Sequence, residues 1–458
     1  MRRAFATLND GRHQVHYRCE GSGTPVVLLP AAPDSSAAVD LTWPGRRAIA
    51  IDLPGCGDSD PLAMTAPSVD DYAQALSETF DALGLEEPSE VVGWGAGAKI
   101  AARFAEQFAE RVTSLTQHEP VELECPALEP EWDGTHLVRA WMIRRDMHLF
   151  SPWFARTPVA RLRADLPPPE QLQGEFLDFL KATSPMGRPP AFTRDYVDAS
   201  FGQVHVWRSR PRGGTPLLML HASPGSSRGV LPLASGLQRS IIAMDTPGFG
   251  DSDPLTNEDP SIGDFADAVL EVIDDIGEPE VDLYGTHTGA SIALEAATRS
   301  ATRIRRVVFD GLPMFSTGEG ADHLANYVPP FEIRWDGSHV MWAWNFIRNM
   351  SLFYPWYHMD AQHSTGRAPD TAMLHQRVVD LMKAGPHYAK GYRAVYRYDP
   401  RPALAQLAVP SMLCVSREDV LAPHADAVRA SRPEVRINWL PTSDRVAATA
   451  AAIEGFLG

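Results

Sequence analysis

Cysteine is scarce in this chain. Cys19, Cys56, Cys125 and Cys414 are its only four cysteines in 458 residues, widely scattered and without a Cys-x-x-Cys pair. That spacing excludes a zinc ribbon or a thiol-redox motif and points to reduced, buried thiols in a cytoplasmic protein. Positive charge is also short. Lys and Arg number 41 against 58 Asp and Glu, a net charge of −17, so no nucleic-acid footprint and no basic membrane patch are expected. No run of 18 apolar residues occurs, and the arginines near the start have no apolar segment behind them, so neither a membrane span nor a leader is read. The histidines lack ligand spacing beside a carboxylate, so no metal and no organic cofactor are expected. What is present is ordinary globular composition, 44% hydrophobic and 22% charged, over a length that suits two domains better than three. A small-molecule substrate is the expected partner, and a homodimer is compatible with the sequence.

The chain repeats itself once. Asp52-Leu53-Pro54-Gly55-Cys56-Gly57-Asp58-Ser59 returns as Asp245-Thr246-Pro247-Gly248-Phe249-Gly250-Asp251-Ser252. Gly93-Trp94-Gly95-Ala96-Gly97 is followed later by Gly285-Thr286-His287-Thr288-Gly289, and Trp132 to Trp153 by Trp335 to Trp356. Blocks recurring in one order mark a duplicated unit. Only repeat two continues into an apolar run at 409–415 and a closing strand and helix, 435–440 and 446–457, so repeat one is a truncated copy. The Pro/Gly-rich stretch Ser184 to Pro190 reads as the linker, dividing the chain into domains 1–190 and 191–458. Short apolar runs, Val26 to Leu29, Ala48 to Ile51, Leu217 to Leu220 and Ile241 to Met244, predict buried strands. Amphipathic stretches 69–83 and 262–276 predict helices between strands. The alternation predicts an α/β fold with mainly parallel sheets and helices on both faces.

A strand, a Gly-x-x-x-Gly turn and a helix form the nucleophile elbow of the α/β-hydrolase superfamily, which both halves resemble. The Asp-x-Pro-Gly-x-Gly-x-Ser block and the loop His221-Ala222-Ser223-Pro224-Gly225 add to the resemblance, the latter standing where the family keeps its oxyanion loop. It implies two tandem repeats of that fold, the first truncated, the second complete with a helical cap at about 314–400. The departures bear on chemistry. The elbow residue is Gly95 in repeat one, which offers no nucleophile, and His287 in repeat two. No histidine follows the last strand, where the segment runs Leu440-Pro441-Thr442-Ser443-Asp444-Arg445, so a conventional Ser-His-Asp relay is excluded.

An imidazole at the elbow sits at a helix N-terminus, whose dipole should keep it neutral and available as base or nucleophile. The resemblance makes Asp419 or Asp310 its orienting acid, and Ala222 and Thr288 the oxyanion donors. His221, His339, Trp342, Tyr354, Tyr357 and His358 are the candidate substrate-binding residues; aromatic positions present in both copies favour packing or an interface, and the unshared Trp342, Tyr354, Tyr357 and His358 suit a pocket better. The reading is a hydrolase acting on a small apolar or aromatic ester or lactone. Two alternatives stay open: a non-catalytic small-molecule-binding or scaffold protein, and a lyase, isomerase or cyclase on the same fold.

Overall fold

Val26 to Leu29 and Leu217 to Leu220 are fully buried at every residue, as strands are when helices cover both faces of a sheet. In the structure, a computed structural model, residues 1–121, 128–151, 161–162, 167–183, 189 and 191–458 are described. The chain divides into two compact units. One comprises Met1–Pro190 with Ile333–Met341, the other Ala191–Glu332 with Trp342–Gly458. The expected linker falls outside the described residues except for Pro189, as do Cys125, Trp153 and the side chain of Phe150.

Unit one is built on β1 (Arg2–Thr7), β2 (Gln14–Gly21), β3 (Thr24–Leu29), β4 (Arg46–Ile51), β5 (Ser89–Trp94) and β6 (Val112–His118), in the order β1-β2-β4-β3-β5-β6. The first hairpin is antiparallel, and β4, β3, β5 and β6 run parallel. Helices α1 (Val69–Ala82), α2 (Ala96–Gln107), α3 (Thr135–Leu149) and α4 (Pro169–Thr183) accompany it, with a short ribbon of β7 (Phe150–Ser151) and β8 (Arg161–Leu162). Ser68 starts α1 through a capping box with Asp71, which satisfies donors that have no acceptor inside the first turn. Phe80 and Phe104, from α1 and α2, pack in one cluster with Val27 and Ile49 of the sheet.

Unit two repeats that order and extends it: β9 (Phe192–Ala199), β10 (Gly202–Ser209), β11 (Leu217–Leu220), β12 (Ile241–Met244), β13 (Val281–Thr286), β14 (Ile304–Asp310), β15 (Ser411–Ser416) and β16 (Arg436–Leu440), arranged β9-β10-β12-β11-β13-β14-β15-β16. The added β15 and β16 continue the sheet in parallel register. Among the described residues, unit one has no counterpart of these two strands. The helices of unit two are α5 (Leu231–Ser235), α6 (Ile262–Ile276), α7 (Thr288–Arg299), α8 (Thr317–Asn326), α9 (Ser338–Leu352), α10 (Thr371–Ala384), α11 (Tyr388–Arg397), α12 (Arg401–Gln406), α13 (Ala425–Ser431) and α14 (Arg445–Leu457). No helix among the described residues is long and apolar enough to cross a membrane.

The segment 333–341 changes the reading of the aromatic block. It packs within unit one, where the buried Trp141 donates its indole N–H to the Trp335 carbonyl at 3.2 Å and stands edge-on to His339 at 4.4 Å. His339 accepts the Arg334 N–H at Nδ1 (3.2 Å), while Nε2 lies 3.1 Å from the Gln173 amide oxygen. Burial lowers its pKa to about 4. His339, expected to bind substrate, is therefore a packed, neutral member of unit one.

Candidate active site

The strand–turn–helix at β13 and α7 requires glycine on both sides of its apex. A Cβ on Gly289 would lie 2.6 Å from the Leu220 carbonyl oxygen, and one on Gly285 2.2 Å from that of Gly289. Strand and helix pack too closely for any side chain at either position. The apex residue, His287, has φ 49° and ψ −108°, a conformation that costs a non-glycine residue about 1–3 kcal/mol. Two carbonyls hold it there, since its N–H donates to Asp310 O and Gly311 O, both at 3.1 Å.

The His287 ring is one-third exposed and reaches back to the carboxylate of Asp419, with Nε2 3.3 Å from it. Asp419 is nearly fully buried after β15. It accepts the Leu421 N–H at 2.9 Å and the Arg445 guanidinium at 3.1 Å. With Nε2 facing a carboxylate, the ring carries its proton there, and Nδ1 becomes the basic atom. Nδ1 has no protein partner among the described residues.

Asp310, the alternative acid, is engaged elsewhere. Its carboxylate accepts the Tyr284 hydroxyl at 2.7 Å and Arg445 at 2.8 Å, so its hydrogen bond with His287 is through the backbone carbonyl, while its charge acts on the ring from a distance. The expected neutrality of the ring also needs correction. Burial lowers the proton affinity of the imidazole, but the Asp419 carboxylate more than offsets it, and the pKa stands above the ordinary 6.5. Asp419 itself is held well below the usual carboxylate range: burial opposes that shift, and the pairing with His287 and the Leu421 N–H outweighs it.

The ring opens into a cavity of about 690 Å³ lined by Ala222, Thr288, Phe315, Tyr327, Tyr354 and Arg377 among others. Thr288 is the first residue of α7, so its N–H has no acceptor within the helix. Ala222, the other expected oxyanion donor, lines the same space. Of the other expected binding residues, only Tyr354 lines this space.

His221 lies beneath it, fully buried. Its Nε2 accepts the Thr246 N–H at 3.1 Å, and its Nδ1 is 3.0 Å from the Ala222 carbonyl. Both nitrogens are therefore spent on holding the loop. Trp342 stacks on Phe346 at 5.0 Å and meets Phe331. The Tyr357 hydroxyl donates to Asp322 and sits 3.0 Å from His323. His358 is exposed and stacks on His363.

Sequence reasoning missed Arg445, which ties Asp310 to Asp419 from the segment where a family histidine was sought. It also missed the cavity residues Arg377, Tyr327, Tyr392 and Tyr396. Only the position of Arg445 just after the last strand could have signalled it. Elsewhere, His16, Asp52 and Asp58, and likewise His205, Asp245 and Asp251, bring ligand-type atoms within 4.8 Å of one another. In each trio the central carboxylate is committed to backbone N–H groups. Asp52 accepts from Ser36 and Asp58, and Asp245 from Ser227 and Asp251.

A family model described as alpha/beta hydrolase fold matches residues 24–208 and 215–435. A 2-hydroxymuconate semialdehyde hydrolase from a Pseudomonas species is 34% identical over 126 residues, 26% of this chain and 44% of that protein. A 2-hydroxy-6-oxononadienedioate/2-hydroxy-6-oxononatrienedioate hydrolase from Paraburkholderia phymatum is 33% identical over 111 residues, 22% of this chain and 38% of that protein. The chain thus spans less than half the length of these relatives. A solved hydrolase from Pseudomonas aeruginosa aligns at a TM-score of 0.47 and 17% identity, over 58% of this chain and 98% of that one.

Proposed function

Because the chain belongs to the α/β-hydrolase-fold family, we propose that its second repeat hydrolyses a small, largely apolar or aromatic ester or lactone, with His287 as general base and Asp419 as the residue that orients it. One observation carries this reading: a strained, non-glycine apex holds an imidazole whose Nε2 faces a buried carboxylate and whose ring opens into a lined cavity. Strain of that kind at an apex that glycine would occupy freely is itself a pointer to function. Relatives named as hydrolases agree with the reaction class.

In the proposed step Nδ1 takes a proton from water as the water oxygen bonds to the acyl carbon. The carbonyl π pair moves onto oxygen, and the Thr288 and Ala222 N–H groups stabilise that charge. The C–O bond to the leaving alcohol then breaks, and the imidazolium returns its proton to the departing oxygen. Water is consumed, acid and alcohol are formed, and His287 is regenerated. Asp419 holds the tautomer and lowers the energy of the transient imidazolium.

Turnover of an ester and lactone panel by the wild type and by His287→Ala tests the proposal. A positioned base contributes about 10²–10⁴-fold, so at least a 100-fold loss in kcat/KM is expected. Equal rates for the two proteins would end the proposal and leave the binding or scaffold reading.

A further inference from the structure

Arg377 lines the cavity from α10 and is half-buried. Its one hydrogen bond among the described residues is to the Ser351 hydroxyl, at 3.3 Å, which uses one of the five N–H directions a guanidinium offers. No carboxylate among the described residues pairs with it. Asp370, also in the lining, is occupied in capping α10 through the Met373 N–H at 3.0 Å. A half-buried guanidinium that lines a cavity without a counter-ion gains from an incoming anion.

Repeat one offers the control. At the matching positions Glu175 stands for Arg377 and His148 for Ser351. There the charge is closed internally, with Glu175 2.6 Å from His148 and 3.7 Å from Arg144. At the same register repeat two has the opposite sign of charge and leaves it to the cavity.

A second donor lines the same cavity. Tyr327 is buried and lines the same space, and its hydroxyl has no partner among the described residues. Arg377 is close enough for its charge to act on Tyr327 and Tyr392, while burial pushes both phenols upward and so keeps them protonated. Tyr392 is already committed, donating to the Ser223 carbonyl at 2.8 Å.

We infer that Arg377 and the Tyr327 hydroxyl form a carboxylate subsite, so that the substrate carries a free carboxylate in addition to the acyl bond presented to His287. This rests on the hydrolytic reading of the cavity and narrows its substrate class. A planar fork and an O–H lining the same cavity suit the two oxygens of a carboxylate, and a neutral isostere would leave both donors unmatched.

Mono-nitrophenyl glutarate and nitrophenyl pentanoate match in acyl length and differ in the terminal charge. The wild type is expected to favour the glutarate at least about tenfold in kcat/KM, and Arg377→Gln to bring the ratio near one. Arg377→Lys should fall between, since it keeps the charge and loses the fork. No preference in the wild type, or a preference that survives Arg377→Gln, overturns the inference. Should that variant fail to fold, Tyr327→Phe is expected to lower the ratio about threefold, and an unchanged ratio counts against the subsite. Calorimetry separates the subsite from the hydrolysis. Glutarate, but not glutaramide, should bind both the wild type and His287→Ala, and should lose at least about tenfold in affinity in Arg377→Gln. Binding that does not distinguish glutarate from glutaramide overturns the subsite whatever the turnover results.

Discussion

The two repeats contain the same buried hub and opposite elbows. In repeat one His16 pairs with Asp52 at 2.8 Å, and the Ser59 hydroxyl bridges the His16 N–H and the Asp52 carbonyl. In repeat two His205 pairs with Asp245 at 2.8 Å, and Ser252 does the same work. Even the cation over the next aspartate is kept, Lys181 to Asp58 at 2.8 Å and Lys383 to Asp251. A buried His–Asp pair looks like catalytic machinery. Its presence in the half whose elbow is glycine shows that here it fastens loop to strand. The elbows share a backbone, φ 52° and ψ −122° at Gly95 against φ 49° and ψ −108° at His287. Glycine adopts that shape freely and histidine pays strain for it. The duplicated motif therefore reports the fold, and the unduplicated residue is the one on which the proposed chemistry rests.

The largest effect that could break this comparison is at Asp419. If the His287–Asp419 pair is the working difference between the repeats, Asp419→Asn removes the charge that supports the imidazolium and replaces one carboxylate acceptor with an amide donor, so the imidazole tautomer is no longer fixed. A fall of about 100-fold in kcat/KM is expected, about 2.7 kcal/mol of transition-state stabilisation, with the fold retained by circular dichroism. Turnover within a factor of two of wild type would mean that the pair is as structural as His16–Asp52.

A smaller effect tests the other elbow. A Cβ at Gly95 would lie 2.8 Å from the Cβ of Ala31, on a backbone with positive φ. Gly95→Ser is therefore expected to destabilise unit one by about 2 kcal/mol and to create no activity. Thermal unfolding of the full chain reads the first quantity and the ester panel the second. A serine accommodated without loss of stability, and with ester turnover gained, would show that repeat one lacks only a nucleophile.

Much of this was legible in the sequence because the informative residues are local. The predicted helix 262–276 and the strands 217–220 and 241–244 have the observed boundaries. Their signals, a capping serine and short apolar runs between turns, lie within or beside each element. The apex His287 was legible for the same reason, since two glycines flank it. The cavity was not. Its lining converges from α9, α10 and α11 and the loop before α10, elements set by long-range packing, and an aromatic spacing does not tell which side of a helix faces the space. Thus Tyr354 lines the cavity while Trp342 packs on Phe346, and His339 lies in unit one because Trp141 supplies its neighbour. Arg445 stayed hidden for a different reason. A histidine was sought after β16, and the arginine found there works through two carboxylates brought together from β14 and β15.

Arg445 carries the smallest expected effect and the sharpest sign. Its guanidinium donates to Asp310 and Asp419 together, so it withdraws part of the negative charge that would otherwise act on His287. Its positive charge opposes the upward shift of the imidazole, while Asp419 and Asp310 favour it. His424, whose Nδ1 accepts the Met314 N–H at 2.8 Å, is kept largely neutral by burial. A base must be unprotonated to act, so the acid limb of kcat/KM should inflect above the ordinary histidine value of 6.5 in the wild type. Arg445→Gln removes the opposing charge, raises the pKa of His287 further and moves that limb to higher pH, by about one unit or less at this partly exposed site. The stability linkage has the same sign. Because the folded pKa is raised, the stabilisation from protonated His287 is complete below 6.5 and is lost as pH rises through the folded value. Rate profiles from pH 5 to 9 measure the shift. A limb that moves to lower pH, or one that is the same in wild type and Arg445→Gln, would mean that Arg445 only fastens β14 to β15 and does not tune the base.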